Sequence, residues 1–163
     1  SAGFFQTYFD NATTALRLIH YPSVEILRSG DALGIQPHTD YGFITILAQD
    51  TIFGLEIRLP DGGWMPVPSV PGALIINIGD ALARWTNDVF NSTPHRVISP
   101  LSGIGRYSVA MFFDPDMDAR IRCLRKFIDT DHPAQYPAIQ YGNYIAERLN
   151  KNYPDRAAGQ VPS

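Results

Sequence analysis

Residues 34–49 read Gly34-Ile35-Gln36-Pro37-His38-Thr39-Asp40-Tyr41-Gly42-Phe43-Ile44-Thr45-Ile46-Leu47-Ala48-Gln49. Gly34 to His38 and Phe43 to Gln49 are short strand-like runs on either side of a polar corner. The rhythm continues both ways along the chain. Upstream, Ala15 to Tyr21 alternates and stops at Pro22, and Ser29-Gly30-Asp31 marks a turn. Downstream come Gly54 to Arg58, Trp64 to Val67, Ala73 to Ile78, His95 to Ile98 and Arg106 to Phe113, each bounded by Gly, Pro or Asp. Pro60-Asp61-Gly62-Gly63 is a strong hairpin signal, and Gly103-Ile104-Gly105 separates the last two runs. At least seven short strands with regular turn signals predict a sandwich or small barrel of the jelly-roll kind.

Helices are expected mainly at the ends. Phe4 to Asn11 reads as the last turns of one, and Tyr141 to Leu149 is amphipathic, with Tyr141, Tyr144, Ile145 and Leu149 on one face. Asp80 to Trp85 can form one or two further turns, with Asp80 as N-cap. The fold class is therefore mainly β, a β-rich α+β domain. Its expected organisation is a remnant of a preceding helical region over 1–12, the jelly roll over 13–150 and a polar tail over 151–163.

The 163 residues suit one domain that buries roughly 70% of its unfolded surface. Thirteen Pro and 13 Gly favour turns and short strands over long helices. A net charge of −3 argues against a general phosphate-binding surface, so no nucleic-acid partner is expected. The single Cys123 excludes an intramolecular disulfide framework and reads as a half-buried small residue. The sequence has no secretory signal and no apolar run of about 18 residues, so no membrane is expected and a cytosolic, reducing setting is the default.

Three features could carry chemistry. Alternate residues of a strand point to one face, roughly 6–7 Å apart, so His38 and Asp40 can converge on one ion from a strand end. Pro37 marks an edge or strand end, where such a pair stands clear of the ladder. His95 opens another strand, and Arg106 and Ser108 form an i, i+2 pair in a third. Apolar neighbours on both sides of that third strand predict burial on both faces, and a buried Arg requires an anion. Each feature has an ordinary reading: incidental hydrogen bonding for His-x-Asp, a structural histidine for His95, an internal salt bridge for Arg106. Together, 57 positions from His38 to His95 and 11 from His95 to Arg106, they describe a metal site beside an anion anchor. Two His and one carboxylate on one face of a metal leave half of an octahedron open, as in non-haem iron oxygenases.

The chain resembles the C-terminal half of the iron(II)- and 2-oxoglutarate-dependent oxygenases, in the branch that includes isopenicillin N synthase and the plant flavonoid and hormone oxygenases. The likeness runs from about Ala15 to Tyr153. It is carried by Arg17-Leu18-Ile19-His20-Tyr21-Pro22, Pro37 to Leu47, Gly54-Leu55-Glu56-Ile57, Pro71 to Asp80, His95-Arg96-Val97 and Arg106-Tyr107-Ser108. It implies a double-stranded β-helix (jelly roll, cupin-like), with His38, Asp40 and His95 as catalytic iron ligands. It implies Arg106 and Ser108 as anchors of the co-substrate carboxylate, with Tyr21 also bonding the co-substrate. Where many members have an asparagine two residues before that tyrosine, this chain has Ile19.

The implied activity is a dioxygenase using Fe(II), 2-oxoglutarate and O2 to hydroxylate, desaturate or cyclise a small-molecule substrate, with release of succinate and CO2. Two alternatives stand beside it: a 2-oxoglutarate-independent iron oxidase of the same fold, and a non-catalytic cupin-like module that binds a metal or acid. Members of the family are about twice this length, and their N-terminal half contributes a helical layer and part of the substrate pocket. Three further residues are expected to be structural: His20 facing outward, His132 on the surface and Trp85 in the core.

Overall fold

In the computed structural model, residues 3–23, 33–100 and 103–152 are described. The Ser29-Gly30-Asp31 turn and the tail from 153 onward lie outside them. The eight main strands are β1 (Thr13–Tyr21), β2 (Leu33–His38), β3 (Ile44–Gln49), β4 (Leu55–Arg58), β5 (Trp64–Pro66), β6 (Ile75–Ile78), β7 (His95–Ile98) and β8 (Arg106–Asp114). They form two four-stranded antiparallel sheets, ordered β1-β8-β3-β6 and β2-β7-β4-β5. The chain crosses between the sheets repeatedly, which is the jelly-roll solution to pairing many short strands.

The hairpin expected at Pro60 to Gly63 joins β4 and β5. Gly62 takes a positive φ of 87° there, and the Asp61 carboxylate accepts the Gly63 N–H at 2.8 Å. Helix α1 (Asp80–Trp85) follows β6, and α2 (Tyr141–Asn152) follows a short pair, β9 (Arg120–Ile121) with β10 (Ile139–Gln140). That pair was not evident in the sequence, because two-residue strands carry no readable period.

Four expectations change. The N-terminal segment is a single 3-10 turn (Gln6–Tyr8) between bends, not the end of an α-helix. Its Phe5, Tyr8 and Phe9 pack on a core cluster around Phe43, Trp85, Ile121 and Tyr141. Gly79, not Asp80, is the N-cap of α1: its backbone is extended and its carbonyl already accepts the Ala83 N–H at 3.0 Å. Strand β8 is buried on one face only: Arg106, Ser108 and Ala110 point inward, whereas Tyr107 is 59% exposed. Cys123 is a free thiol and buried rather than half-buried. The other structural expectations hold: Trp85 is in the core, His20 stacks on Tyr107 outside the barrel, and His132 is exposed.

Candidate metal and anion site

The strand register brings the predicted metal residues together. On the second sheet His38 ends β2 directly opposite His95, which opens β7. Asp40 lies two residues past the end of β2, at the rim between the two sheets. One oxygen or nitrogen from each of the three side chains lies within 4.8 Å of the others. Both imidazoles approach the same carboxylate oxygen: His38 Nε2 is 3.9 Å and His95 Nε2 3.7 Å from Asp40 Oδ1. Two metal–ligand bonds of about 2.1 Å can bridge such gaps.

The hydrogen bonds around the cluster leave one lone pair of each residue aimed inward. His38 Nδ1 lies 2.8 Å from the Gln36 carbonyl and His95 Nδ1 3.1 Å from the Thr93 carbonyl. A carbonyl only accepts, so each Nδ1 carries the proton and each Nε2 is free to ligate. Asp40 Oδ2 is occupied by Thr45 Oγ1 at 2.6 Å and Asn77 Nδ2 at 2.7 Å, both from the first sheet. Its Oδ1 faces the histidines. Burial lowers the pKa of His95 against the opposing pull of Asp40, which favours the neutral imidazole that a metal needs. The donor set therefore fits a divalent transition metal held by two nitrogens and one oxygen.

Arg106, Ser108 and Tyr21 line the same cavity, of about 280 Å³, as the metal cluster. Tyr21 pairs with Arg106, and Ile19 with Ser108, across β1 and β8. The Arg106 guanidinium is 1% exposed and lies 5.0 Å over the Tyr21 ring. Its Nη2 donates to Gln49 Oε1 at 2.8 Å, while Nε and Nη1 are buried without a partner. None of its contacts is a carboxylate, so the salt-bridge reading fails among the described residues. A buried guanidinium with unused donors is a receptor for an anion. Gly54 makes room for it: a Cβ there would meet Arg106 Cδ at 2.9 Å and the Ile98 carbonyl at 2.8 Å.

Thr45, Asn77 and Gln49 are functional candidates that the sequence reading did not single out. Asn77 was visible in principle, as one polar residue within an apolar strand (Ile75-Ile76-Asn77-Ile78). Gln49 had no such signal at the polar end of β3. On its rung, Ile19 presents hydrocarbon on one side of Ser108 and Gln49 an amide on the other.

Comparison with known proteins agrees with this geometry. The family model of the 2OG-Fe(II) oxygenase superfamily matches residues 12–115. A 2-oxoglutarate-Fe(II) type oxidoreductase of Aspergillus fumigatus is 37% identical over 147 residues, covering 90% of this chain and 43% of the relative. Gibberellin 3-beta-dioxygenase 1 of Pisum sativum is 34% identical over 88% of this chain and 38% of its own length. Among solved structures, Neurospora crassa T7H in complex with alpha-KG and thymine superposes with a TM-score of 0.88 at 33% identity, over 94% of this chain and 48% of that one. JOX2 in complex with 2OG, Fe and JA superposes with a TM-score of 0.79 at 36% identity, over 89% and 43%. The chain thus spans less than half the length of these relatives.

Proposed function

Because the chain belongs to the 2OG-Fe(II) oxygenase superfamily, we propose that it is the catalytic domain of a dioxygenase, in which His38, Asp40 and His95 hold iron(II) and Arg106 holds 2-oxoglutarate. The observation that carries this reading is the buried Arg106, with two unused donors, facing the same cavity as the two-histidine, one-carboxylate cluster. Bound there, iron and 2-oxoglutarate would supply oxygen activation, with succinate and CO2 as the co-substrate's products and a small organic molecule hydroxylated, desaturated or cyclised.

The chain's own residues have separable tasks in this reading. The Gln36 and Thr93 carbonyls fix the tautomers of His38 and His95. Thr45 and Asn77 hold one oxygen of Asp40 and leave the other to the metal. Arg106 and Ser108 take the distal carboxylate of the co-substrate, charge-assisted hydrogen bonds being the strong kind. The Tyr21 ring, stacked on the guanidinium, keeps it from turning. Leu47, Leu55 and Val97 give the cavity dry walls, which strengthen each of these interactions.

We assign the oxygenase unit to 13–150. A reducing, cytoplasmic setting suits both an iron(II) site and the free Cys123. No described helix is long and apolar enough to cross a membrane.

The test is anaerobic titration of the chain with iron(II) and 2-oxoglutarate, watching for the visible charge-transfer band of the chelate, followed by succinate release on admitting oxygen with a panel of small-molecule acceptors. A band that is lost in His95→Ala and shifted to higher 2-oxoglutarate concentration in Arg106→Gln is the expected result. Iron binding without a 2-oxoglutarate band would favour the co-substrate-independent oxidase. A band that oxygen does not bleach would favour a non-catalytic binding module.

A further inference from the structure

His38 is the last residue of β2, so Asp40 is carried by a corner with no strand partner of its own. Three successive carbonyls of that corner are nevertheless hydrogen-bonded to the start of α1. The N–H of Asp80 donates to the Asp40 carbonyl at 2.8 Å, and the N–H of Ala81 is shared between the Tyr41 and Gly42 carbonyls at 3.1 and 3.0 Å. The Asp80 side chain grips the same corner from outside: its Oδ2 accepts Thr39 Oγ1 at 3.1 Å, from the residue between the two ligands.

Helix α2, a hundred residues downstream, closes on this arrangement. Arg148 Nη2 is ion-paired with Asp80 Oδ2. The Arg148 guanidinium lies 5.0 Å over the Tyr41 ring, and Tyr144 OH donates to the Tyr41 carbonyl at 3.1 Å. Neither Arg148 nor Tyr144 lines the main cavity.

From this geometry we propose that α2 is a clamp for the metal ligands, with Asp80 and Arg148 as positioning residues that fix the His38-Thr39-Asp40 corner. The inference rests on the metal-site reading above. Two facts favour a positioning role over a purely structural one. The helix is already anchored by the buried rings of Tyr141 and Tyr144, and a partly exposed ion pair adds little to folding. What the pair does fix is the orientation of the Asp80 carboxylate, and through it Thr39. Outer partners that orient metal ligands commonly change metal affinity by 10–100-fold when removed.

Cobalt(II) serves as the probe, because its visible bands report ligand geometry and it needs no turnover. The chain is titrated as wild type, Asp40→Ala, Arg148→Gln, Asp80→Asn and the remote control Arg122→Gln, with urea unfolding of each apo form in parallel. Arg148→Gln and Asp80→Asn are expected to bind cobalt about tenfold more weakly and with altered bands. Their apo urea midpoints should stay close to wild type, and the double variant should be no worse than the weaker single. Arg148→Lys should recover part of the affinity. If Asp40→Ala loses cobalt while Arg148→Gln and Asp80→Asn bind like wild type with unchanged bands, the clamp is overturned and the metal site stands. If wild type and Asp40→Ala bind cobalt equally poorly, the metal reading itself fails. Should Asp80→Asn not fold, Arg148→Gln and Thr39→Val decide by the same criterion.

Discussion

Asn77 Nδ2 donates to Asp40 Oδ2 at 2.7 Å, joining the first sheet to a carboxylate that stands just beyond a strand of the second. With Thr45 on the same oxygen, it leaves Asp40 one acceptor facing the histidines.

Removing that support should loosen the carboxylate without removing a ligand. Asn77→Leu and Thr45→Val are each expected to weaken cobalt(II) or iron(II) binding by about 10–100-fold. Asp40→Ala should abolish it. Metal titration of the purified chain checks the order, and equal affinity for Asn77→Leu and wild type would show that Oδ2 plays no part in orienting Asp40.

Arg106 should behave oppositely toward stability and toward ligand. An unmatched buried charge is costly, so Arg106→Met is expected to leave the apo chain as stable as wild type or more so. The upward shift of Tm produced by 2-oxoglutarate in the metal-loaded chain should disappear in the same variant. Gln49→Leu, which frees Nη2 and lets the guanidinium wander, should raise the 2-oxoglutarate Kd several-fold. Thermal scans with and without the co-substrate measure all three.

Asp114 supplies a pH signature. Its Oδ1 accepts the Phe43 N–H at 2.6 Å, yet burial raises its pKa above the ordinary carboxylate value. A raised folded pKa means that this group's contribution is fully present below the unfolded value of 3.8 and is lost as pH rises through the folded one. Asp114→Asn keeps the acceptor for Phe43 and removes the titration. The variant should therefore gain stability relative to wild type as pH rises from about 4 to 7. Urea midpoints across that range test the sign; a difference that does not vary with pH would refute it.

Gly79 lets two loops touch. A Cβ there would lie 2.1 Å from the Gly42 carbonyl oxygen, a backbone atom that cannot step aside cheaply. Gly79→Ala is expected to cost about 1–3 kcal/mol in urea unfolding and to weaken metal binding by displacing the corner that holds Asp40. Loss of stability with unchanged metal affinity would separate the two effects.

Much of the site was legible because its parts are local. His38 and Asp40 share a strand face through the two-residue period, and Arg106 and Ser108 do so in the same way. The turn residues that delimit the strands have conformational preferences written into single residues, as at Gly62. An apolar run such as that of β8 does not say which face is covered; Tyr107 and Val109 turn out to face solvent once the neighbouring strands are in place. The N-terminal segment differs from the helix expected for a related reason: its aromatic residues serve the core around Trp85 from a 3-10 turn as well as they would from a helix.

The sequence by itself determined the strand periodicity, the three side chains proposed here as metal ligands and the presence of a cation that burial would leave in need of an anion. Tertiary structure alone decided which atoms are free. The pairing of His38 with His95, the use of Asp40 Oδ2 by Thr45 and Asn77, the restraint of Arg106 by Gln49 and the reach of Arg148 to Asp80 all join residues 37 or more positions apart, save the local Thr45 bond. Such contacts depend on sheet register and helix docking, which are set by the packing of the whole core and not by any one segment.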